Sequence, residues 1–370
     1  MIVGVPKEIK MQEARVGLTP GAAREYVSNG HEVLIETGAG LGVGADDDAY
    51  RTVGATIVDC AAEIFRRSGM IVKVKEPQAS EWTQLREGQI LFTYLHLAPD
   101  SAQTKGLVES GVTAIAYETV TDDSGALPLL APMSEVAGRL SIEAAGSALR
   151  SSHGGSGLLL GGVPGVPAAR VSILGGGVVG TQAARMACGL GAEVTVIDRS
   201  LSRLRYLDEL FQGKIQTRFS TMAEIEREIA AADVVIGAVL VPGASAPKLV
   251  TREMLASMRR KAVLVDVAID QGGCFETSRP TTHDDPTFEI DGVIHCCVAN
   301  MPGSVPRTSS YALNNATLPF GLELARNGIE AVRSNKHLGN GLNVHRGKVT
   351  SRAVAESLNL EFVPVQVALQ

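Results

Sequence analysis

Residues 171–198 read VSILGGGVVGTQAARMACGLGAEVTVID, and no other segment restricts the fold as strongly. An apolar run enters Gly175-x-Gly177-x-x-Gly180, an alanine-rich stretch follows, and a second apolar run ends on Asp198. Each part has a mechanical reason. Gly175 permits a tight turn, Gly177 lets a pyrophosphate approach the backbone, and Gly180 lets the following helix pack against the strand. The helix that opens at Val178 and Val179 presents free N–H groups and a positive dipole end to phosphates. Asp198 lies where a carboxylate accepts hydrogen bonds from the adenosine ribose hydroxyls. A glycine turn alone would also suit a sheet without a ligand. Framed by two strands, a helix and a terminal acid, it predicts NAD as the cofactor. The acid repels a 2′-phosphate and so favours NAD over NADP, a preference that Arg199 and Arg203 soften.

The chain has 370 residues, long for a single core, so two domains are expected. Apolar runs at 2–6, 31–37, 55–59, 70–76, 89–98 and 112–120 alternate with helix-like segments. Val-, Ile- and Leu-rich strands separated by helices predict a mostly parallel sheet covered on both faces. Residues 132–152 read as a long amphipathic helix with Ser134 as its N-cap. A second series follows at 170–175, 193–198, 214–219, 233–239, 262–270 and 294–300. The fold class expected is therefore α/β with two doubly wound domains, a Rossmann NAD-binding domain and a flavodoxin-like or Rossmann-like partner. Residues 301–370 offer helices but no sheet of their own, and should pack on one of these domains.

Composition narrows the function. Hydrophobic residues make up 45% and charged residues 20%, as in ordinary globular enzymes. The formal net charge of −6, without clustered Lys and Arg, argues against nucleic acid as a partner. The longest apolar stretches are broken by Pro, Gly and Arg170, so no membrane span is expected. The opening MIVGVPKEIK reads as a short strand followed by charges rather than a secretory leader. Five cysteines without a C-x-x-C pair fit reduced thiols and a cytoplasmic location.

Several ionisable residues stand in apolar runs. MIVKVKEP (70–77) carries Lys73 and Lys75, ILFTYLHLA (90–98) carries His96, and AVLVDVAID (262–270) ends on Asp270. Ligands of open α/β sheets bind beyond the carboxyl ends of the strands. Lys75, His96 and Asp270 at three such ends point to one interdomain cleft. Each also has a plainer reading: a hydrogen-bonded core histidine, a surface lysine on an edge strand, a turn-forming aspartate.

At these residues the chain resembles the L-alanine dehydrogenase family. The segments that carry the resemblance are GVPKEIKMQEARVGLTP, VKVKEP, LFTYLHLA, LPLLAPMSEVAGRL, GGVPGV, GAVLVPG, DVAIDQGGCFETSRPTTHDDPTF and VANMPGSVPRTSSYALNNATLP, spread over residues 1–330. The related transhydrogenase α-subunit is similar more loosely. The resemblance implies that Arg15 binds a substrate carboxylate, as a bidentate guanidinium is shaped to do. It implies that Lys75 also contacts substrate and polarises the keto oxygen, that His96 is the acid–base catalyst, and that Asp270 is the second catalytic residue. For the cofactor it implies Ser134, the glycine turn with Val178 and Val179, Asp198, Arg203, Ser220, Val239 and Leu240. It adds Val267, Ala268, Ile269 and Asp270, Arg279, and Val298, Ala299, Asn300 and Met301. It implies a substrate domain built from residues 1–130 and 304–370 around an NAD domain at 131–303, and a homo-oligomer, commonly a hexamer. The substrates implied are L-alanine, pyruvate and ammonia. Two departures stand out. Arg203 occupies a position where Lys is common. Some relatives bind Mg²⁺ through a Glu and a His four residues apart, whereas this chain has Glu323 and Asn327, so no metal is expected. A soluble NAD(H)-binding transhydrogenase-type subunit, a saccharopine-type dehydrogenase and a non-catalytic dinucleotide binder stay open.

Overall fold

A computed structural model describes residues 1–239 and 246–370. The chain divides into two compact units, one of Met1–Met133 with Val305–Gln370, the other of Ser134–Ser304.

In the first unit, strands β1 (Ile2–Val5), β2 (Glu32–Glu36), β3 (Thr56–Val58), β4 (Met70–Val72), β5 (Ile90–Thr93) and β6 (Thr113–Ala116) pair in parallel. In the second, β7 (Arg170–Leu174), β8 (Glu193–Asp198), β9 (Gln216–Phe219), β10 (Val234–Gly237), β11 (Val263–Asp266), β12 (Thr287–Ile290) and β13 (Val293–Cys296) form a sheet in the order β12-β13-β11-β10-β7-β8-β9. Only β12 runs antiparallel there, against β13. The tail then supplies β14 (Leu342–His345) and β15 (Lys348–Val349), which extend the first sheet to the order β15-β14-β6-β5-β4-β1-β2-β3.

Alternation along the strands explains the burial. Val234 and Ile236 of β10 and Val263 and Val265 of β11 enter one core of the second unit. Val235 and Leu264, between them, enter the core on the opposite face. A strand covered on both faces has no solvent side, so its sequence is apolar throughout. Fully burying one such side chain contributes about 1.5–3 kcal/mol.

The structure departs from the sequence reading in four places. The runs predicted as strands to residues 76, 98, 120 and 270 leave regular strand at Val72, Thr93, Ala116 and Asp266. The residues beyond stay apolar because they are still buried, as Val74, Leu95 and Leu97 are. Their backbone amides, however, turn to carboxylate side chains: Val74 N–H to Glu8, Leu95 N–H to Glu118, Ala268 N–H to Asp266. Secondly, Ser134 does not cap its helix. The helix runs Ala131–Ala148, with Pro132 in the first turn where a missing N–H is tolerated. Thirdly, β12 at Thr287–Ile290 falls in a stretch to which the sequence reading assigns no strand. Finally, β14 and β15 are short antiparallel strands within a stretch read as helical and without a sheet. The longest helix of that stretch, Pro306–Asn327, binds the segment around Arg15: Val16 N–H donates to Ser310 Oγ at 3.1 Å and Thr19 N–H to Asn314 Oδ1 at 2.7 Å. No helix among the described residues is long and apolar enough to cross a membrane.

Candidate functional site

In the second unit the glycine turn has the geometry its spacing predicts. Gly175 sits at φ 102°, and a Cβ there would lie 2.6 Å from the Ala238 carbonyl oxygen. A Cβ on Gly180 would come within 1.8 Å of the Gly175 carbonyl oxygen. Gly177 caps the helix Val178–Gly189, and a Cβ added to it would meet no atom within 4 Å. The turn therefore has open space over its middle glycine, beside the first helical N–H groups, which have no partner inside the helix. That cradle fits a dinucleotide pyrophosphate.

Asp198, the last residue of β8, accepts the Gly176 N–H at 2.6 Å and the Ser200 N–H at 2.8 Å. Its carbonyl takes the N–H of Ser220 at 3.0 Å. Arg203 donates from Nε to the Gly176 carbonyl and from a terminal nitrogen to Thr181 Oγ1 at 2.5 Å, with its guanidinium 4.6 Å over the Tyr206 ring. The acid, the arginine and the glycine turn are thus one bonded group. Val239 is half-buried next to Gly175, and Leu240 lies outside the described residues.

Val267 still makes a strand-like bond to the Gly237 carbonyl, at 3.0 Å. Ala268 follows, and a 3₁₀ turn then spans Ile269–Gln271, carrying Asp270. The Asp270 carboxylate accepts the Asn300 N–H, at 3.2 Å to one oxygen and 3.3 Å to the other. Asn300 has φ 52°, and Ala299 is tied to the Thr281 carbonyl at 3.1 Å between the buried side chains of Val298 and Met301. Arg279 stacks over Phe288 at 4.3 Å. Ser134 is half-buried in the first turn of its helix.

The strand-end acid proper is Asp266, which sequence reasoning passed over in favour of Asp270. It is fully buried and accepts from Ser278 Oγ at 2.5 Å, Cys274 N at 2.9 Å and Ala268 N at 3.1 Å. Burial raises its pKa, an effect these donors only partly offset. Burial likewise pushes the Cys296 thiol up to about 11 and Cys297 to about 12, so both are protonated and unreactive at neutral pH. All five cysteines are free thiols.

Arg15, Lys75 and His96 all belong to the first unit, where His96 and Arg15 both neighbour Tyr94. The Arg15 side chain is only 2% exposed, with Nε and a terminal nitrogen on the two Glu13 oxygens at 2.8 and 2.6 Å. Burial opposes its charge, and the Glu13 carboxylate outweighs burial, leaving the guanidinium firmly ionised. Its other terminal nitrogen faces Met133 Sδ at 3.1 Å, a weak acceptor. Lys75 Nζ lies 3.8 Å from Glu76, which also binds Lys10. Burial opposes ionisation of Glu76, but Lys75 and Lys10 prevail and hold its pKa below the usual value. The main chain of Lys75 abuts β5 through its carbonyl, bound by Thr93 Oγ1 at 3.0 Å.

His96 adopts φ 49° and keeps 45% of its side chain exposed. It is not a core histidine. Its ring stacks on Tyr94 at 5.7 Å and 8°, and Tyr94 meets Tyr117 edge-on at 5.1 Å. Glu118 accepts N–H bonds from Leu95 and His96. Neither Glu118 nor Glu8 carries a sequence signal, since an acid near a strand shows nothing of which amides it will reach. Glu323 accepts a hydrogen bond from Asn335 at 2.9 Å. No cluster of three metal-ligating side chains occurs among the described residues.

Together, the glycine turn, the acid-tipped second strand and a second parallel sheet with ionisable groups past its strand ends define a dinucleotide-binding α/β protein. Residues 4–137 match the model described as Alanine dehydrogenase/PNT, N-terminal domain, and residues 141–352 the corresponding C-terminal domain. The chain belongs to the alanine dehydrogenase/PNT family. It is 57% identical to an alanine dehydrogenase of Halomonas elongata, over 98% of both chains. It is 52% identical to one of Bacillus subtilis, over 100% of this chain and 98% of the other. A solved L-alanine dehydrogenase superposes with a TM-score of 0.94 at 50% identity, covering 97% of this chain and 99% of the other. A transhydrogenase from Sinorhizobium meliloti is more distant, at TM-score 0.80 and 27% identity over 95% of this chain and 100% of that one.

Proposed function

We propose that this protein catalyses the reversible NAD-dependent oxidative deamination of L-alanine to pyruvate and ammonia. The observation that carries the reading is identity above half to alanine dehydrogenases over essentially the whole chain, with Arg15, Lys75 and His96 all in one unit. When bound, NAD⁺ supplies the hydride acceptor; Asp198, Arg203 and the glycine turn hold its adenosine and pyrophosphate, and the segments 267–270 and 298–301 with Arg279 and Ser134 flank the rest.

Arg15, kept ionised and oriented by Glu13, takes the substrate carboxylate with the nitrogen that faces Met133, because a carboxylate oxygen outcompetes a thioether for an N–H. Lys75 stabilises charge on the oxygen that becomes the keto group. His96 moves the protons that activate water and release ammonia, the task for which an imidazole is suited near neutral pH. Asp270 is the second catalytic residue. Residues 1–130 and 304–370 serve as the substrate domain and 131–303 as the NAD domain. We further infer a cytoplasmic homo-oligomer, a hexamer, in keeping with five free thiols.

The test is the initial rate of NADH formation by the purified chain with L-alanine, against glycine, L-serine and D-alanine. Alanine-dependent NADH is the expected result. Hydride exchange between nucleotides without any alanine-dependent rate would instead establish the transhydrogenase-type alternative.

A further inference from the structure

Lys73 has no part in the proposed reaction, yet its side chain is fully buried. Its Nζ lies 2.9 Å from Glu8 Oε2 and 2.8 Å from Glu81 Oε1, with both carboxylates almost wholly enclosed. Desolvating three ions costs several kcal/mol each, and apolar side chains would often serve stability as well. The triad therefore calls for a purpose other than stability.

Its free oxygens supply one. Glu8 Oε1 accepts the N–H of Val74 at 2.7 Å and of Lys75 at 3.3 Å. Glu81 Oε2 accepts the N–H of Gln78 at 2.7 Å. One ammonium thus locks two carboxylates, and the far oxygen of each fastens main chain on either side of Lys75. On the β5 side the bonding runs on past Val72, with Lys73 N–H on the Phe92 carbonyl at 3.2 Å and Tyr94 N–H on the Val74 carbonyl at 3.3 Å, whereas the amides of Val74 and Lys75 meet Glu8 in place of a neighbouring strand. We propose that Glu8, locked by Lys73 and Glu81, is a positioning residue that sets the main chain of Lys75 and so the place of its ammonium toward substrate. The proposal rests on the reading of Lys75 as a substrate-binding residue. Burial raises the Glu8 pKa, and the Lys73 ammonium and the Val74 N–H oppose that rise; the fastening itself rests on the two N–H bonds to Oε1.

Glu8→Ala removes the oxygen from both amides; Glu8→Gln keeps one. In the full-length protein, amide hydrogen exchange of the 70–78 segment, the KM for pyruvate, kcat and NADH affinity are measured together. Glu8→Ala is expected to speed exchange at Val74 and Lys75 by about tenfold or more. It is expected to raise the KM for pyruvate about 10- to 100-fold, the scale of a 1 Å misplacement, with NADH affinity unchanged. Glu8→Gln is expected to recover part of both losses. Unaltered exchange or unaltered KM in Glu8→Ala overturns the proposal. So does a parallel loss of NADH affinity that Glu8→Gln fails to relieve, the mark of general unfolding. Should the parent protein not turn over alanine or pyruvate, the reaction assigned above fails, and the exchange measurement alone decides whether Glu8 fastens Lys75.

Discussion

The Glu118 carboxylate accepts the His96 backbone N–H at 2.6 Å and lies 3.9 Å from Nδ1 of the same residue's ring. His96 is at φ 49°, a conformation that costs a non-glycine residue about 1–3 kcal/mol and persists only where surroundings enforce it. Glu118 is that enforcement, aided by the Tyr94 stack. Glu118→Ala should therefore lower kcat/KM about 10- to 100-fold through loss of His96 placement. Glu118→Gln, which keeps an acceptor, should lose less. Steady-state kinetics with circular dichroism on both variants decides it, and equal rates in parent and Glu118→Ala would sink the idea.

His96 itself is half-exposed and bonded through its main chain. Replacing it by Ala should abolish turnover, by about 10²- to 10⁴-fold for a lost acid–base group, with NADH binding intact. Fluorescence titration with NADH is the control. Lost cofactor affinity in folded His96→Ala would mean a structural histidine.

Two glycines of the turn, Gly180 and Gly177, should fail in different ways. A methyl on Gly180 collides with the Gly175 carbonyl at 1.8 Å, so Gly180→Ala should destabilise the protein by about 1–3 kcal/mol, read by urea unfolding. A methyl on Gly177 meets nothing within 4 Å and φ there is −65°, so Gly177→Ala should fold normally and lose NAD affinity. Normal NAD binding by Gly177→Ala would place the pyrophosphate elsewhere.

Asp198, proposed above to hold the adenosine of the cofactor, also fastens Gly176. Asp198→Gly removes a like charge from a 2′-phosphate, a juxtaposition costing several kcal/mol. The ratio of kcat/KM for NADP to that for NAD should rise about 10- to 100-fold. An unchanged ratio would show that the ribose is read by other groups.

The contribution of two buried histidines to stability should decline in mild acid, opposed by the buried carboxyls of Asp266 and Glu8, whose pKa burial raises. Burial lowers the pKa of His295 and of His345 below 6.5. His295 Nδ1 lies 3.1 Å from the Val293 carbonyl and must donate to it, so Nε2 accepts from Thr277 Oγ1 at 2.7 Å. Both nitrogens are satisfied in the neutral ring. Below about pH 6.5 the unfolded chain binds protons that the folded chain does not. Stability present near pH 7 is thus lost as pH falls toward the folded pKa, by up to about 1.4 kcal/mol per pH unit for each histidine. Urea melts at two pH values on either side of 6.5 measure it, and His295→Gln should flatten the slope.

The glycine turn was legible from the sequence because its causes are local. A missing Cβ, a helix N-terminus and an acid at the next strand end all lie within 171–198. The doubly wound strands were legible for the same reason, as unbroken apolar runs between turns. Their ends were not. Val74 and Leu95 are as apolar as the strands before them, and only the carboxylates of Glu8 and Glu118 take their amides out of the ladder.

What the sequence by itself determined is thus the kind of sheet, the cofactor cradle and the ionisable residues available for chemistry. The tertiary structure alone decided how those residues are held. Ser310 and Asn314 hold the amides of Val16 and Thr19, 294 and 295 residues away in sequence, near Arg15; Lys73 joins two acids; β14 and β15 complete a sheet begun at residue 2. Periodicity and backbone sterics act over a few residues, whereas these pairings depend on which distant groups meet once the apolar faces are buried.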